Sequence, residues 1–229
     1  MRIVLFGSYY RGYFVLTELL TGSLCDHVEV VGVATDNPSE SYVSPGKRVW
    51  QYGYSDDEAN LVRTLADDNA IPVYDGPVKT SEFYELLETE WRPDLCVMAT
   101  FGQLIDERLF DFPTLGFFNL HPSDRAGWPS RYAGPDPFAA MIRDHRRECV
   151  LSVHHVDGGF DTGDRVLTSE LIPIPPGVNV RDMHKLTAPY AGQVVRQLVS
   201  GKLSIRKTQP DLSIASRGST TDENEPKFT

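Results

Sequence analysis

The sequence predicts an α/β fold: an open, mostly parallel, twisted sheet with helices on both faces, a C-terminal helix and a polar tail. Three observations predict it. From Arg2 to His121, short β-branched and apolar runs alternate with stretches of helical period, the pattern of successive βαβ units. Leu95 to Ala99 is continuously apolar, as expected of a central parallel strand buried on both faces. And a chain of 229 residues, 41% hydrophobic and 10% aromatic, can bury one large core.

The elements follow in order. Arg2 to Phe6 is a strand closed by Gly7, and Tyr13, Leu16, Leu19 and Leu20 continue at helical spacing. His27 to Thr35 repeats the strand signal and completes a right-handed βαβ start. Residues 36–54 mix turn formers with aromatics and show no period; a connection of that length is often functional. Ser55 or Asp56 caps a helix over Ala59 to Asp68, Ile71 to Tyr74 is a short strand, and Thr80 caps a helix with Phe83, Leu86 and Leu87 inward. Asp106 starts another short helix. Leu115 to His121 then forms a strand that Pro122, lacking an N–H, should end. Beyond a Gly/Pro-rich loop come a helix over Pro137 to Arg147, strands over Cys149 to His155 and Arg165 to Ile172, and a long amphipathic helix over Asn179 to Ser200, which Pro189 should break or kink. Residues 1–205 are thus one α/β domain, and 206–229 a loose polar tail.

Composition narrows the function. A formal charge of −10 argues against a nucleic-acid partner, which clustered Lys and Arg would serve. Cys25, Cys96 and Cys149 are odd in number and set in apolar surroundings, which suits buried thiols in a reducing compartment. The first residues form an apolar run too short for a signal peptide or a membrane span. The expected protein is cytoplasmic, with no membrane partner.

The chemistry gathers at the carboxyl edge of the sheet, where open α/β sheets bind ligands. Asn119 and His121 lie two apart on one strand and face the same side. The amide can stabilise a developing oxyanion, and the imidazole can take or supply a proton near neutrality. Asp161, in the glycine-flanked turn Asp157 to Asp164, can pair with an imidazolium. With no serine or cysteine nucleophile nearby, the set suggests direct transfer of an acyl-type group to an amine. Plainer readings stand beside this one. A histidine before proline is often only a turn residue, and Asp157, Asp161 and Asp164 suit tight turns without further purpose. His154 and His155 point to opposite faces of a strand, so at most one could join a metal site. The stretch Gly7-Ser8-Tyr9-Tyr10-Arg11-Gly12 lacks the glycines of a dinucleotide fingerprint.

Phe118-Asn119-Leu120-His121-Pro122-Ser123, with Val156-Asp157-Gly158-Gly159-Phe160-Asp161-Thr162-Gly163-Asp164, resembles the paired signature of the folate-dependent formyltransferases, nearest in style to the sugar N-formyltransferases. The resemblance implies a Rossmann-like fold, 10-formyltetrahydrofolate as formyl donor, no metal, and Asn119, His121 and Asp161 as the catalytic set. Phe101, Gly102, Gln103 and Leu104, with Asp157, Gly158, Gly159 and Phe160, match the donor-binding stretches. Ser8, Tyr9, Tyr10, Ser123, Trp128 and Tyr132 are expected on the acceptor side. The implied reaction is N-formylation of a small-molecule amine, first a nucleotide-linked amino sugar. An amino acid such as an ornithine derivative, or a purine-pathway amine, is the alternative; hydrolysis of the donor and a non-catalytic folate-binding module are the rivals. The chain is expected to act without the extra domain that members acting on tRNA carry, and a homodimer is a further expectation. Asp124 to Ala133 departs from the family pattern as an insertion beside His121, expected to reshape the acceptor side of the crevice.

Overall fold

The computed structural model describes residues 1–43 and 49–208. The chain alternates as expected. Strand β1 (Arg2–Gly7) leads into helix α1 (Tyr9–Thr21), a 3-10 turn (Cys25–His27) and β2 (Glu29–Ala34). A second 3-10 turn (Val49–Tyr52) precedes α2 (Asp56–Asp68), whose Ser55 and Glu58 form a reciprocal capping box. Then come β3 (Val73–Tyr74), α3 (Ser81–Glu85) with a π-helical turn over Leu86–Trp91, β4 (Leu95–Ala99), α4 (Glu107–Phe110) and β5 (Phe117–Ser123). Helix α5 (Pro137–Arg143), β6 (Glu148–His155), β7 (Arg165–Thr168), β8 (Ile172–Pro173) and α6 (Val180–Thr208) complete the order.

The sheet runs β3-β2-β1-β4-β5-β6-β7, with β8 on β6. The first five strands in that order are parallel, and β6, β7 and β8 add antiparallel. Because β1 is followed by β2 on one side and β4 lies on the other, a crevice opens outside their carboxyl ends. Alternation along β1 divides the core. Ile3 and Leu5 face a layer with Leu16 of α1, Val62 of α2 and Val194 of α6. Val4 and Phe6 face Phe83, Trp91 and Leu109 on the other side. A Cβ on Gly12 would stand 2.8 Å from the carbonyl carbon of Gly7, so glycine there lets the first turns of α1 lie against the end of β1.

Four expectations are corrected. First, β5 continues through Pro122 to Ser123. Val156 N–H bonds to Phe117 C=O, so residues 119, 121 and 123 pair with β6 in alternation, and Pro122 turns its ring nitrogen toward the side where β4 has already ended. Second, the segment from Arg165 to Ile172 divides into β7 and β8, both on β6. Third, α6 passes through Pro189 without a break and reaches Thr208. One missing hydrogen bond to the Lys185 carbonyl is outweighed by the packing of Ala191, Val194, Val195 and Leu198 into the core. The helical backbone therefore overruns the expected boundary at 205, and the tail expected beyond it lies, from 209 on, outside the described residues. Fourth, Cys25 is half-buried on a surface turn, whereas Cys96 and Cys149 are in the core. Among the described residues no helix is long and apolar enough to cross a membrane.

Candidate active site

A cavity of about 450 Å³ lies outside the carboxyl ends of β4 and β5. One wall is the segment Phe101 to Ile105 leaving β4, a second is Asp157 to Asp161 after β6, and the floor carries Asn119 and His121 from β5. The strand period puts both of these side chains on one face, and the antiparallel register brings His154 opposite Asn119.

Asp161 is the hub. Its backbone has φ 54, in the left-handed region that Asp tolerates better than most residues, and this conformation turns the carboxylate back toward the sheet. Its Oδ2 accepts the Gly134 N–H at 2.8 Å, and its Oδ1 accepts Asn119 Nδ2 at 3.1 Å. The same Oδ1 lies 3.3 Å from His121 Nδ1 and 3.4 Å from His154 Nε2. Burial pushes this carboxyl up, but the two imidazoles and the Gly134 N–H outweigh burial and hold it at about 2. It is ionised throughout the neutral range.

His121 is 5% exposed, and burial pushes its pKa below the ordinary imidazole value, with Asp161 opposing the shift. Its Nε2 donates to the Tyr132 carbonyl at 2.8 Å, and its Nδ1 faces the Asp161 carboxylate at 3.3 Å. A proton arriving at Nδ1 would meet a counter-charge already in place. His154 donates Nδ1–H to the His155 carbonyl at 2.7 Å. Its Nε2, 3.2 Å from Asn119 Nδ2, accepts from the amide when the ring is neutral and donates to Asp161 when it is protonated. In the neutral state both hydrogens of the Asn119 amide are thus held by protein groups, and a ligand oxygen would have to take one over.

The structure brings Asn119, His121 and Asp161 together. The eight residues assigned to donor binding all line the same cavity. Two of them, Leu104 and Phe160, are 49% and 63% exposed and form an apolar rim. Gln103 holds its loop in place: its Oε1 accepts Val78 N–H and its Nε2 donates to Gly76 C=O. Gly102 N–H bonds to Asp36, leaving this wall rigid.

The residues expected on the acceptor side are placed differently. Ser8 is fully buried and accepts the Asp36 N–H, tying the end of β1 to the end of β2. Tyr9 is buried edge-on against Trp50 and receives a hydrogen bond from Arg181, and Tyr10 bonds to Glu58. Ser123 pairs with Ser152 inside the sheet. None of these four lines the cavity. Trp128 and Tyr132 are outside it as well, because the insertion from Asp124 to Ala133 lies behind the two histidines. Trp128 Nε1 donates to Gly163 C=O at 2.8 Å and its ring packs on His154 with centroids 5.1 Å apart. Tyr132 offers only its carbonyl to the site, its ring being buried and its hydroxyl bonded to Asp144. In this structure the loop packs behind the imidazoles, through the Trp128 ring on His154 and the Tyr132 carbonyl on His121. Trp50 and Tyr52 are likewise spent on structure, through hydrogen bonds to Asp36 and Asp136.

Sequence reasoning weighed His154 only as a metal ligand and passed over Arg11 and His184, which also line the cavity. The signal for His154 is its register opposite Asn119, legible only once β6 is known to run antiparallel. Among the described residues no cluster of His, Cys, Asp or Glu is arranged to hold a metal.

With this geometry in view, residues 58–198, more than half of the chain, match the family model described as formyl transferase. The chain belongs to that family. A methionyl-tRNA formyltransferase of Syntrophus aciditrophicus is 37% identical over 124 residues, which is 54% of this chain. The matched stretch is only 38% of that relative's length. Among solved structures, the phosphoribosylglycinamide formyltransferase of Streptococcus pneumoniae TIGR4 superposes with a TM-score of 0.62 at 16% identity, covering 89% of this chain and 99% of that one. The sugar 3N-formyl transferase WlaRD, determined in the presence of dTDP and 5-N-formyl-THF, gives 0.60 at 17% identity over 90% and 64% of the two chains. At such identity the two structures speak for the formyltransferase fold alone.

Proposed function

We propose that this member of the family transfers a formyl group from 10-formyltetrahydrofolate to the primary amine of a small metabolite. The observation that carries the reading is the convergence of Asn119, His121 and Asp161 on one wall of a cavity whose other walls match the family's donor-binding stretches. The residues fit such a donor. The rim formed by Leu104 and Phe160 suits a flat heterocycle, and the backbone of residues 101–105 and 157–160 can approach it closely.

The donor supplies an activated formyl carbon; an unprotonated amine adds to it, the bond to the donor nitrogen breaks, and one proton passes from the amine to that nitrogen. The residues serve the proton and the oxygen. Asn119 turns one amide N–H from the carboxylate or imidazole to the developing oxyanion. The proton leaving the amine passes to the Asp161 carboxylate and the His121 imidazole beside it, directly or through water, and from there to the donor nitrogen. Tyr132 C=O holds Nε2–H and so fixes the ring with Nδ1 toward Asp161.

A nucleotide-linked amino sugar is the preferred acceptor. The support is analogy to WlaRD together with the formal charge of −10, which disfavours a polynucleotide. An amino acid is the next choice. The likeness to the Syntrophus methionyl-tRNA formyltransferase favours a second reading, in which the amine belongs to an aminoacyl-tRNA. The test incubates the protein and 10-formyltetrahydrofolate with amino sugars, their nucleotide conjugates, amino acids and methionyl-tRNA, and reads formylated products by mass. Donor loss that needs no amine would replace transfer by hydrolysis, and no donor loss with any amine would sink the enzymatic reading.

A further inference from the structure

The cavity wall carries a hydroxyl that no described residue satisfies. Thr100 follows the last residue of β4, and its Oγ1 is buried with no hydrogen-bond partner among the described residues. A buried hydroxyl left unpaired works against the fold that holds it. The backbone is unusual as well. At Thr100 φ is 60, in the left-handed region, where a β-branched side chain crowds the neighbouring carbonyls. Bonds on either side keep the residue there: Ala99 C=O accepts Ser8 N–H at 3.3 Å, and Gly102 N–H donates to Asp36 at 2.9 Å. Strain held in this way gathers at ligand sites.

Thr100 stands at the junction of the two halves of the site. The donor wall, Phe101 to Ile105, starts at the next residue, and β5 with Asn119 and His121 runs alongside. Met98 pairs with Asn119, so the strand period sets Thr100, two residues on, level with His121. All four line one cavity. The hydroxyl lies within the wall, and a turn about χ1, a fast and inexpensive motion, carries it to the cavity side. In the proposed reaction the oxyanion has Asn119, and the departing proton has Asp161 and His121. The second N–H of a primary amine, which stays in the formamide product, has no acceptor in that set. As the nitrogen attacks it gains positive charge, and this N–H becomes a charge-assisted donor.

We propose that Thr100 is a specificity-determining residue whose hydroxyl turns into the cavity and accepts the N–H that a primary amine keeps, selecting primary over N-substituted amines. The selection rests on the proposed transfer to an amine. The nitrogen lone pair forms the new bond to the formyl carbon. One N–H proton leaves through Asp161 and His121 to the donor nitrogen as the bond from that nitrogen to the formyl carbon breaks. The other N–H stays on Thr100 Oγ1. An N-methyl amine brings a methyl group to this place and leaves the hydroxyl unpaired.

The test compares wild type, Thr100→Val and Thr100→Ser in formylation of amino sugars and amino acids, each beside its N-methyl derivative, and in melting temperature. Thr100→Val keeps the branched shape and removes the hydroxyl. It should melt a few degrees higher, because an unpaired polar group is gone. It should also lower kcat/KM for primary amines about tenfold or more and leave N-methyl amines unchanged. Thr100→Ser should keep the wild-type preference. Equal losses for primary and N-methyl amines would make the hydroxyl an oxyanion donor and overturn the selection. A folded Thr100→Val that melts below wild type would show a satisfied hydroxyl and overturn it too. Thr100→Gly, at ease with a φ of 60, also lacks the hydroxyl and should lose the same preference, so it replaces Thr100→Val if that variant does not fold. A wild type that formylates no amine sinks the transferase reading and this selection with it. Formylation with a preference unmoved by loss of the hydroxyl sinks the selection alone.

Discussion

Asp161→Asn isolates the carboxylate with little disturbance of the backbone, because Asn tolerates the left-handed φ of 54 as readily as Asp. The wild-type carboxyl is held at about 2 against a reference of 3.8, which at about 1.4 kcal/mol for each tenfold change is roughly 2 kcal/mol favouring the charged form. A depressed acid contributes its stability above the unfolded value and loses it as pH falls through the folded one. Wild type should therefore lose up to roughly 2 kcal/mol between about pH 4 and pH 2, a loss the variant should not share. The variant should also leave the imidazolium of His121 without its counter-charge. Asp161 opposes the burial that lowers His121, so removing it should lower His121 further and move the acid limb of the kcat/KM profile to lower pH. Losing this partner should cost roughly 10² to 10⁴ in kcat. The assay is amine-dependent loss of 10-formyltetrahydrofolate across pH 5 to 9, paired with urea unfolding. A kcat within tenfold of wild type, or an acid limb that does not move, would refute the placement of Asp161 as the partner of His121.

Three further outcomes are expected. Trp128→Phe removes the indole hydrogen bond to Gly163 C=O and should cost about 1 kcal/mol in stability, while Trp128→Ala also strips the ring from His154 and should lower kcat about tenfold with donor KM unchanged; a raised acceptor KM instead would return this loop to the acceptor side. Phe160→Ser, at a rim position 63% exposed, should raise donor KM several-fold and leave the melting temperature within a degree or two, as differential scanning fluorimetry would show. His184 is neutral in the fold and protonates near 6.5 when unfolded, so folding stability should fall by up to about 1.4 kcal/mol per pH unit below 6.5, a slope that His184→Gln should reduce in urea titrations at pH 7.5, 6.5 and 5.5.

Local pattern made much of the molecule legible. The continuous apolar run from Leu95 to Ala99 reads as a central strand because it is buried on both sides, and Cys96 and Val97 indeed face opposite cores. Ser55 and Thr80 announce their helices because a side-chain oxygen meets the N–H three residues on. Period-two geometry places Asn119 and His121 on one face whatever strands flank them. The segments 101–105 and 157–160 come from chemistry already written in the glycines and in the family likeness. These features rest on interactions within a few residues.

What the sequence by itself determined, then, is the alternating α/β order, the pairing of Asn119 with His121, and the stretches that wall the cavity. Tertiary structure decided which side chains reach it. Tyr9 and Tyr10 are expected on the acceptor side from the sequence, yet an aromatic gains more by burial against its neighbours than by waiting at a rim, and both pack in a cluster with Trp50. Trp128 and Tyr132 follow the same logic behind the imidazoles. His154 and Arg11 come to the site from strands and helices far apart in the chain, through the antiparallel register of β6 and the close approach of Gly12 to Gly7. Such contacts depend on how whole elements dock, and no window of local sequence carries that information.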